Sequence, residues 1–145
     1  MSRTQAAKAF PVTRTEQEWR ERLSPEEFHV TREKGTEQAF TGRYHDSKQE
    51  GTYHCVGCDR PLFASDAKYE SGTGWPSFWA AIDPGAVDTE EDRSLFMSRT
   101  EVLCAECGAH LGHLFPDGPQ PTGDRYCMNS LALRLDEEGQ PDEEG

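Results

Sequence analysis

The stretch "CAECGAHLGHLF", residues 104–115, decides the fold because it places two cysteines in one tight turn and two histidines just after it. A similar turn, "CVGC", occupies residues 55–58. Four thiolates on two such turns are the ligands of a closed tetrahedral zinc site. The metal would connect two hairpins whose cysteine turns are separated by 45 residues. We therefore predict one structural Zn²⁺, held by Cys55, Cys58, Cys104 and Cys107.

Other uses of the same cysteines stay open. The four thiols could form two disulfides, one pair could be a redox-active pair of the thioredoxin type, or iron could replace zinc. A thioredoxin-type pair belongs at a strand-to-helix junction, which neither turn predicts. Five cysteines is an odd number, so a pure disulfide framework leaves one thiol over. The set favours a metal site in a reducing compartment, and we expect a cytoplasmic protein. Gly57 and Gly108 are expected to turn backbone amides toward the sulfur atoms.

Composition limits the partners. The 145 residues suffice for a single domain, and the net charge of −12 argues against nucleic acid or an anionic membrane surface. No apolar run is long enough to span a membrane, and the first residues lack the apolar core of a secretory signal. A small-molecule or peptide substrate fits this charge better. We expect a monomer.

Local patterns predict a mainly β fold with short helices leading into it. Thr15 with Glu18, and Ser24 with Glu27, are capping boxes that open two short helices within residues 16–32. Alternating polarity in "SLFMSRTEVL" (94–103) and "RYCMNSLALRL" (125–135) predicts strands. We expect residues 1–15 to be disordered, one domain over residues 16–135, and an acidic disordered tail over residues 136–145.

The fifth cysteine lies on one of these strands. The two-residue period of a strand puts Arg125, Cys127 and Asn129 on one face. A guanidinium favours the thiolate, which is the nucleophilic form. The alternative is a buried cysteine that acts as a small apolar residue.

His110, His113 and Asp117 precede that strand. Two histidines three residues apart reach one site only where the strand bends or bulges, and Gly112 between them suits a bulge. The three residues could form a second metal site, lie separately on the surface, or take part in acid catalysis beside the thiol. Their spacing does not decide between these interpretations.

The segments "CVGC", "SGTGWPSF", "CAECGAHLGHLF" and "DGPQPTGDRYCMNS" resemble the signature of the B-type methionine-R-sulfoxide reductases. The similarity covers about residues 16–135 in order. It implies two antiparallel sheets in a β-tent-like sandwich around a shallow active-site basin, with the structural zinc opposite the basin. It also implies Cys127 as the nucleophile that attacks the sulfoxide sulfur, giving methionine and a cysteine sulfenic acid.

The resemblance assigns further roles. It implies that acid and oxygen-binding groups stand at His110, His113, Asp117, Arg125 and Asn129. We expect His113 to be the proton donor with His110 as its partner, Asp117 to raise the pKa of a histidine, Arg125 to lower that of Cys127, and Asn129 to hydrogen-bond within the polar row.

The resemblance also implies that Trp75 contacts the substrate, with its ring receiving the methyl group of methionine sulfoxide. Only the R epimer at sulfur is then expected to fit. Phe78, Trp79 and Phe115 could extend this aromatic wall, but we expect them in the core.

Thr73 departs from the pattern of many family members, which carry a resolving cysteine between the two glycines of this stretch. With the other four cysteines assigned to zinc, Cys127 has no thiol partner. We therefore expect an external thiol or a thioredoxin-type protein to reduce the sulfenic acid. Two competing classes are a non-catalytic zinc-binding module and a metalloenzyme using His110, His113 and Asp117 as ligands; neither gives Cys127 a task.

Overall fold

The computed structural model of the protein describes residues 10–92 and 99–137. The predicted disordered ends lie mostly outside these residues, as do residues 94–98 of one predicted strand. Residues 10–15 lead into the first helix, and the Val12 N–H donates to the Glu106 carbonyl at 2.8 Å. Within the described ranges, no helix is long and apolar enough to cross a bilayer.

Two short helices open the domain, as the capping boxes predict. Helix α1 spans Glu16–Arg22 and α2 spans Pro25–Arg32. The Thr15 and Ser24 side chains each accept a hydrogen bond from the backbone of the glutamate three residues on, and that glutamate bonds back. Both capping boxes are therefore confirmed.

The strands form two antiparallel sheets, which confirms the predicted fold class. The smaller sheet has the order β2-β1-β9, with β1 at Gly51–Cys55, β2 at Pro61–Ala64 and β9 at Leu133–Glu137. The larger sheet has the order β3-β4-β8-β7-β6-β5. Its strands are β3 (Lys68–Tyr69), β4 (Ser77–Phe78), β5 (Val87–Asp92), β6 (Arg99–Cys104), β7 (His110–Phe115) and β8 (Arg125–Met128).

The alternating stretch 125–135 supplies strands to both sheets. A 3₁₀ turn at Ser130–Ala132 interrupts it, so that β8 lies in the large sheet and β9 in the small one. Aromatic side chains fill the space between the sheets. Phe63 of the small sheet stacks on Phe78 of the large sheet at 4.5 Å between ring centroids, and Tyr53 meets Phe78 edge-on at 5.2 Å.

A β-bulge in β7 shapes the centre of the large sheet. Val102 pairs with Gly112, but the next residue of β6, Leu103, pairs with His110, so that Leu111 is the extra residue. This confirms the bend that the sequence requires between the two histidines. Gly112 faces β8 so closely that a Cβ there would lie 2.1 Å from the Cys127 carbonyl oxygen.

Replacing Gly112 by alanine is therefore expected to destabilise the fold by about 1–3 kcal/mol or more, since the backbone of β8 must move. Urea denaturation measures the change in the free energy of unfolding. Gly85→Ala is the control, because the nearest atom to its added Cβ is 3.5 Å away; its change should stay within about 0.5 kcal/mol. Equal effects of the two substitutions would contradict the close approach at Gly112.

Candidate metal centre and candidate active site

The four turn cysteines form one cluster. Their sulfur atoms all lie within 4.8 Å of one another, with 3.7 Å between Cys55 and Cys107 and 3.6 Å between Cys58 and Cys104. Tetrahedral zinc with Zn–S bonds of about 2.3 Å places its sulfur ligands about 3.8 Å apart. The donor set and its spacing fit a closed four-thiolate metal site.

The two cysteine turns share one backbone geometry. The Asp59 N–H donates to the Cys55 carbonyl at 2.9 Å, and the Gly108 N–H donates to the Cys104 carbonyl at 2.8 Å. Asp59 and Gly108 both have left-handed φ angles, 69° and 78°. The left-handed residue is thus the glycine after the second cysteine in one turn and Asp59 in the other. Gly57 instead makes room for Trp19, whose ring would lie 3.1 Å from an added Cβ.

The helices lie against the cysteine cluster. Arg22 of α1 donates to the Gly57 carbonyl at 2.6 Å, and Arg32 of α2 donates to the Cys107 carbonyl at 3.0 Å. The same Arg32 guanidinium lies over the Trp19 ring at 4.4 Å. Each helix therefore holds one of the two cysteine turns.

Cys127 lies in a separate cavity of about 330 Å³. Five of the residues predicted to take part in catalysis or substrate binding line it: Trp75, His113, Arg125, Cys127 and Asn129. Its other lining residues are Thr36, Thr73, Gly112 and Phe115. His110 and Asp117 are not among them. The prediction that Phe78 belongs to the core is confirmed, and Trp79 packs against the core. The prediction is wrong for Phe115, which borders the cavity instead. The Arg125 guanidinium lies over the Phe115 ring, 4.3 Å from its centroid.

One cross-strand row of polar residues passes through this cavity at Cys127 and His113. Cys127 of β8 lies opposite His113 of β7 on one side and opposite Ser77 of β4 on the other. His113 in turn lies opposite Glu101 of β6. Directly paired residues of antiparallel strands point to the same face of a sheet. A carboxylate, an imidazole, a thiol and a hydroxyl therefore follow one another across four strands.

His110 lies behind His113. The two rings meet edge-on at 5.5 Å between centroids because the bulge turns His110 to the same side. Nδ1 of His110 lies 2.7 Å from the Glu101 carboxylate, and Lys34 donates to that carboxylate at 3.2 Å. The carboxylate beside His110 is thus Glu101, which the sequence analysis did not single out. Asp117 is paired with Arg125 instead.

Asp117 binds Arg125. The Arg125 guanidinium donates to both carboxylate oxygens, at 2.8 and 3.2 Å. Burial raises the pKa of the Cys127 thiol, and hydrogen bonding to Thr73 and the charge of Arg125 offset only part of that rise. The lowering of the Cys127 pKa that we expected from Arg125 is present, but the larger effect of burial holds this pKa above its ordinary value.

Asn129 and Trp75 are both fixed by a loop that the sequence analysis missed. The Glu37 N–H donates to the Asn129 side-chain oxygen at 3.0 Å, and the Trp75 indole N–H donates to the Glu37 carbonyl at 3.1 Å. The Asn129 amide also donates to the Leu111 carbonyl at 3.1 Å, so this buried side chain holds the bulge. No local motif marks Glu37, because its partners are distant in the chain.

Thr73 also reaches the cysteine. Its Oγ1 lies 4.0 Å from Cys127 Sγ and 2.8 Å from the Ser71 hydroxyl, which in turn lies 2.7 Å from the Ser77 hydroxyl. The glycines on either side of Thr73 have left-handed φ angles, 77° and 93°. Position 73 is therefore held at the thiol by the turn.

The fold and the two sites define a class of small, mainly β protein in which a cysteine cluster that could hold a metal ion is separate from a cavity that contains a further thiol. The chain matches the SelR domain over residues 23–137. It is 57% identical over 124 residues to "Peptide methionine sulfoxide reductase MsrB" of Hahella chejuensis, covering 86% of this chain and 89% of that protein. Proteins of the same name are 55% identical in Acinetobacter baumannii over 133 residues, with 92% and 96% covered, and 52% identical in Methanosarcina barkeri over 135 residues, with 92% and 95% covered. The chain therefore belongs to the SelR domain family, the B-type methionine sulfoxide reductases.

Removing one cluster cysteine tests the metal centre. Cys104→Ser is expected to lose bound metal and to unfold well below the melting temperature of the unchanged protein, because a structural metal site contributes directly to folding. Elemental analysis and circular dichroism measure the two effects. Cys127→Ser is the control and should keep its metal. A Cys104→Ser protein with unchanged metal content and melting temperature would contradict the assignment.

Proposed function

We propose that the protein reduces methionine (R)-sulfoxide in peptides and proteins to methionine, with Cys127 as the nucleophile and an external thiol or thioredoxin-type protein as the reductant. The observation that carries this proposal is the position of Cys127 in the cavity, where it lies opposite His113 and where Trp75 and Arg125 also line the wall. The names of the relatives support it. We place the reaction in the cytoplasm, with the protein acting as a monomer.

The reaction begins with the thiol. Transfer of its proton to water gives the thiolate, which Arg125 and the Thr73 hydroxyl stabilise. The Cys127 sulfur attacks the sulfoxide sulfur and forms an S–S bond while an acid protonates the sulfoxide oxygen. The resulting hydroxyl group passes to the Cys127 sulfur, the S–S bond breaks with its electron pair returning to the methionine sulfur, and methionine leaves Cys127 as a sulfenic acid. His113 is the proposed acid because it lines the cavity opposite the thiol.

Trp75 supports the choice of substrate. Its ring borders the cavity and its N–H is occupied by the Glu37 carbonyl, so it offers apolar surface to the substrate methyl group. Arg125 and Asn129 supply polar groups on the cavity wall. An apolar wall and a polar wall around one thiol distinguish the methyl group from the oxygen of the sulfoxide, which supports selection of the R epimer.

Zinc is the metal that we assign to the cysteine cluster. Four thiolate ligands complete its tetrahedral shell and leave no open position, so its contribution is to folding. A metalloenzyme that uses His110, His113 and Asp117 has less support. Among the described residues, the four cysteines are the only group of three or more ligand-type side chains close enough to share an ion, and Asp117 is paired with Arg125.

Activity measurements test the proposal. With dithiothreitol, the purified protein is expected to reduce the R but not the S sulfoxide of an N-blocked methionine. Cys127→Ser should lower turnover below detection, since no nucleophile remains, while metal content and melting temperature stay unchanged. Chiral chromatography of the remaining sulfoxide gives the epimer consumed. Full turnover by Cys127→Ser would reject Cys127 as the nucleophile, and reduction of both epimers would reject the role of the cavity walls.

A reaction without reductant tests how the sulfenic acid at Cys127 is reduced back to the thiol. One methionine per chain is expected, together with a sulfenic acid that dimedone traps at residue 127, because the hydroxyl of Thr73 cannot form a disulfide. Thr73→Cys should instead form an internal disulfide with Cys127, visible in the intact mass, because the Thr73 Oγ1 already lies 4.0 Å from the sulfur. A prompt disulfide in the unchanged protein, accompanied by metal release, would show that a cluster cysteine resolves the intermediate.

A further inference from the structure

A carboxylate and an imidazole form a buried pair directly behind the active-site cavity. The side chains of Glu101 and His110 are 3% and 4% exposed, and Glu101 Oε2 lies 2.7 Å from His110 Nδ1. Removing an ionisable pair from water costs several kcal/mol per ion, and apolar side chains of similar volume stabilise a core at least as well. Stability alone therefore does not account for the pair.

The pair determines which nitrogen of His110 carries a proton. The hydrogen bond from His110 keeps the pKa of Glu101 below its ordinary value, although burial acts to raise it. Glu101 is thus ionised at neutral pH, and an ionised carboxylate only accepts hydrogen bonds. Nδ1 of His110 must then be the N–H donor. The other nitrogen, Nε2, is buried and has no hydrogen-bond partner among the described residues.

The sheet register connects this pair to the thiol. Glu101 lies opposite His113, and His113 lies opposite Cys127. The His110 ring packs edge-on against the His113 ring, which borders the cavity. Lys34 approaches the other Glu101 oxygen at 3.2 Å from the protein surface, so the carboxylate is fixed on both sides. Rotation of Glu101 would therefore release His110, which packs against the ring of the proposed acid.

We infer that Glu101 is a positioning residue of the reductase: its carboxylate fixes the Nδ1–H form and the orientation of His110, whose ring packs against His113, the proposed acid. The inference rests on the proposed function, because it concerns the proton delivered to the sulfoxide oxygen.

Glu101→Gln tests the inference because the amide keeps the shape of the side chain and removes its charge. We measure the rate of methionine formation in a single turnover without reductant, as a function of the concentration of N-blocked methionine (R)-sulfoxide. The maximal rate is expected to fall about tenfold or more, within the range that acid catalysis contributes. The half-saturating concentration should change less than twofold. Metal content and the rate of Cys127 alkylation by iodoacetamide should also stay unchanged, since the thiol is not the affected group.

Glu90→Gln is the matched control. Glu90 lies opposite Glu101 on β5, so the control makes the same chemical change in the same row, one strand farther from the cavity. Its maximal rate should stay within twofold of the unchanged protein. A maximal rate for Glu101→Gln within twofold of the unchanged protein would overturn the inference. A decrease matched by an equally slower alkylation would also overturn it, because the effect would then lie on the thiol.

Nitrogen NMR of the unchanged protein provides a measurement that does not depend on the variant folding. Long-range proton–nitrogen spectra should show His110 with its proton on Nδ1. A proton on Nε2 alone would overturn the inference. If the unchanged protein reduces neither epimer of the sulfoxide, the proposed function fails, and the same spectra still decide whether Glu101 fixes the form of His110.

Discussion

The cluster of four cysteines is the constraint on which the other parts of the structure depend. Cys55 ends β1 of the small sheet and Cys104 ends β6 of the large sheet, so one metal ion would join the two layers of the fold. A structural zinc site contributes about 10–16 kcal/mol in small metal-binding domains. A whole domain is typically stable by only about 5–15 kcal/mol. The metal can therefore equal the net stability of the chain, and the helices that hydrogen-bond to the cysteine turns depend on it as well.

Because the cluster and the aromatic core hold the large sheet in place, the sheet can carry a partly buried site. The bulge at Leu111 turns His110 toward His113, and the close approach at Gly112 brings β7 against β8 at the position of the thiol. Burial raises the pKa of Cys127 more than Arg125 lowers it.

How much could be predicted from the sequence depends on the distance between interacting residues. The cysteine turns, the capping boxes and the shared face of Arg125 and Cys127 follow from spacings of two or three residues, and all are present in the structure. Glu101 was missed because only the register of β6 against β7 brings it to His110, and no local pattern encodes that register. Asp117 was assigned to a histidine because it is close to one in the chain, whereas a guanidinium on the next strand binds it in two places.

Thr73 determines the order of events in the proposed cycle. The turn holds its hydroxyl where it can hydrogen-bond to the Cys127 sulfur, but a hydroxyl cannot accept a sulfur–sulfur bond. The sulfur of the reductant must therefore reach Cys127 through the same cavity of about 330 Å³ that methionine sulfoxide occupied. Two reactants that need one space bind in turn, so methionine has to leave before the reductant enters. The cycle is then a substituted-enzyme mechanism, with the sulfenic acid as the form of the enzyme present between the two half-reactions.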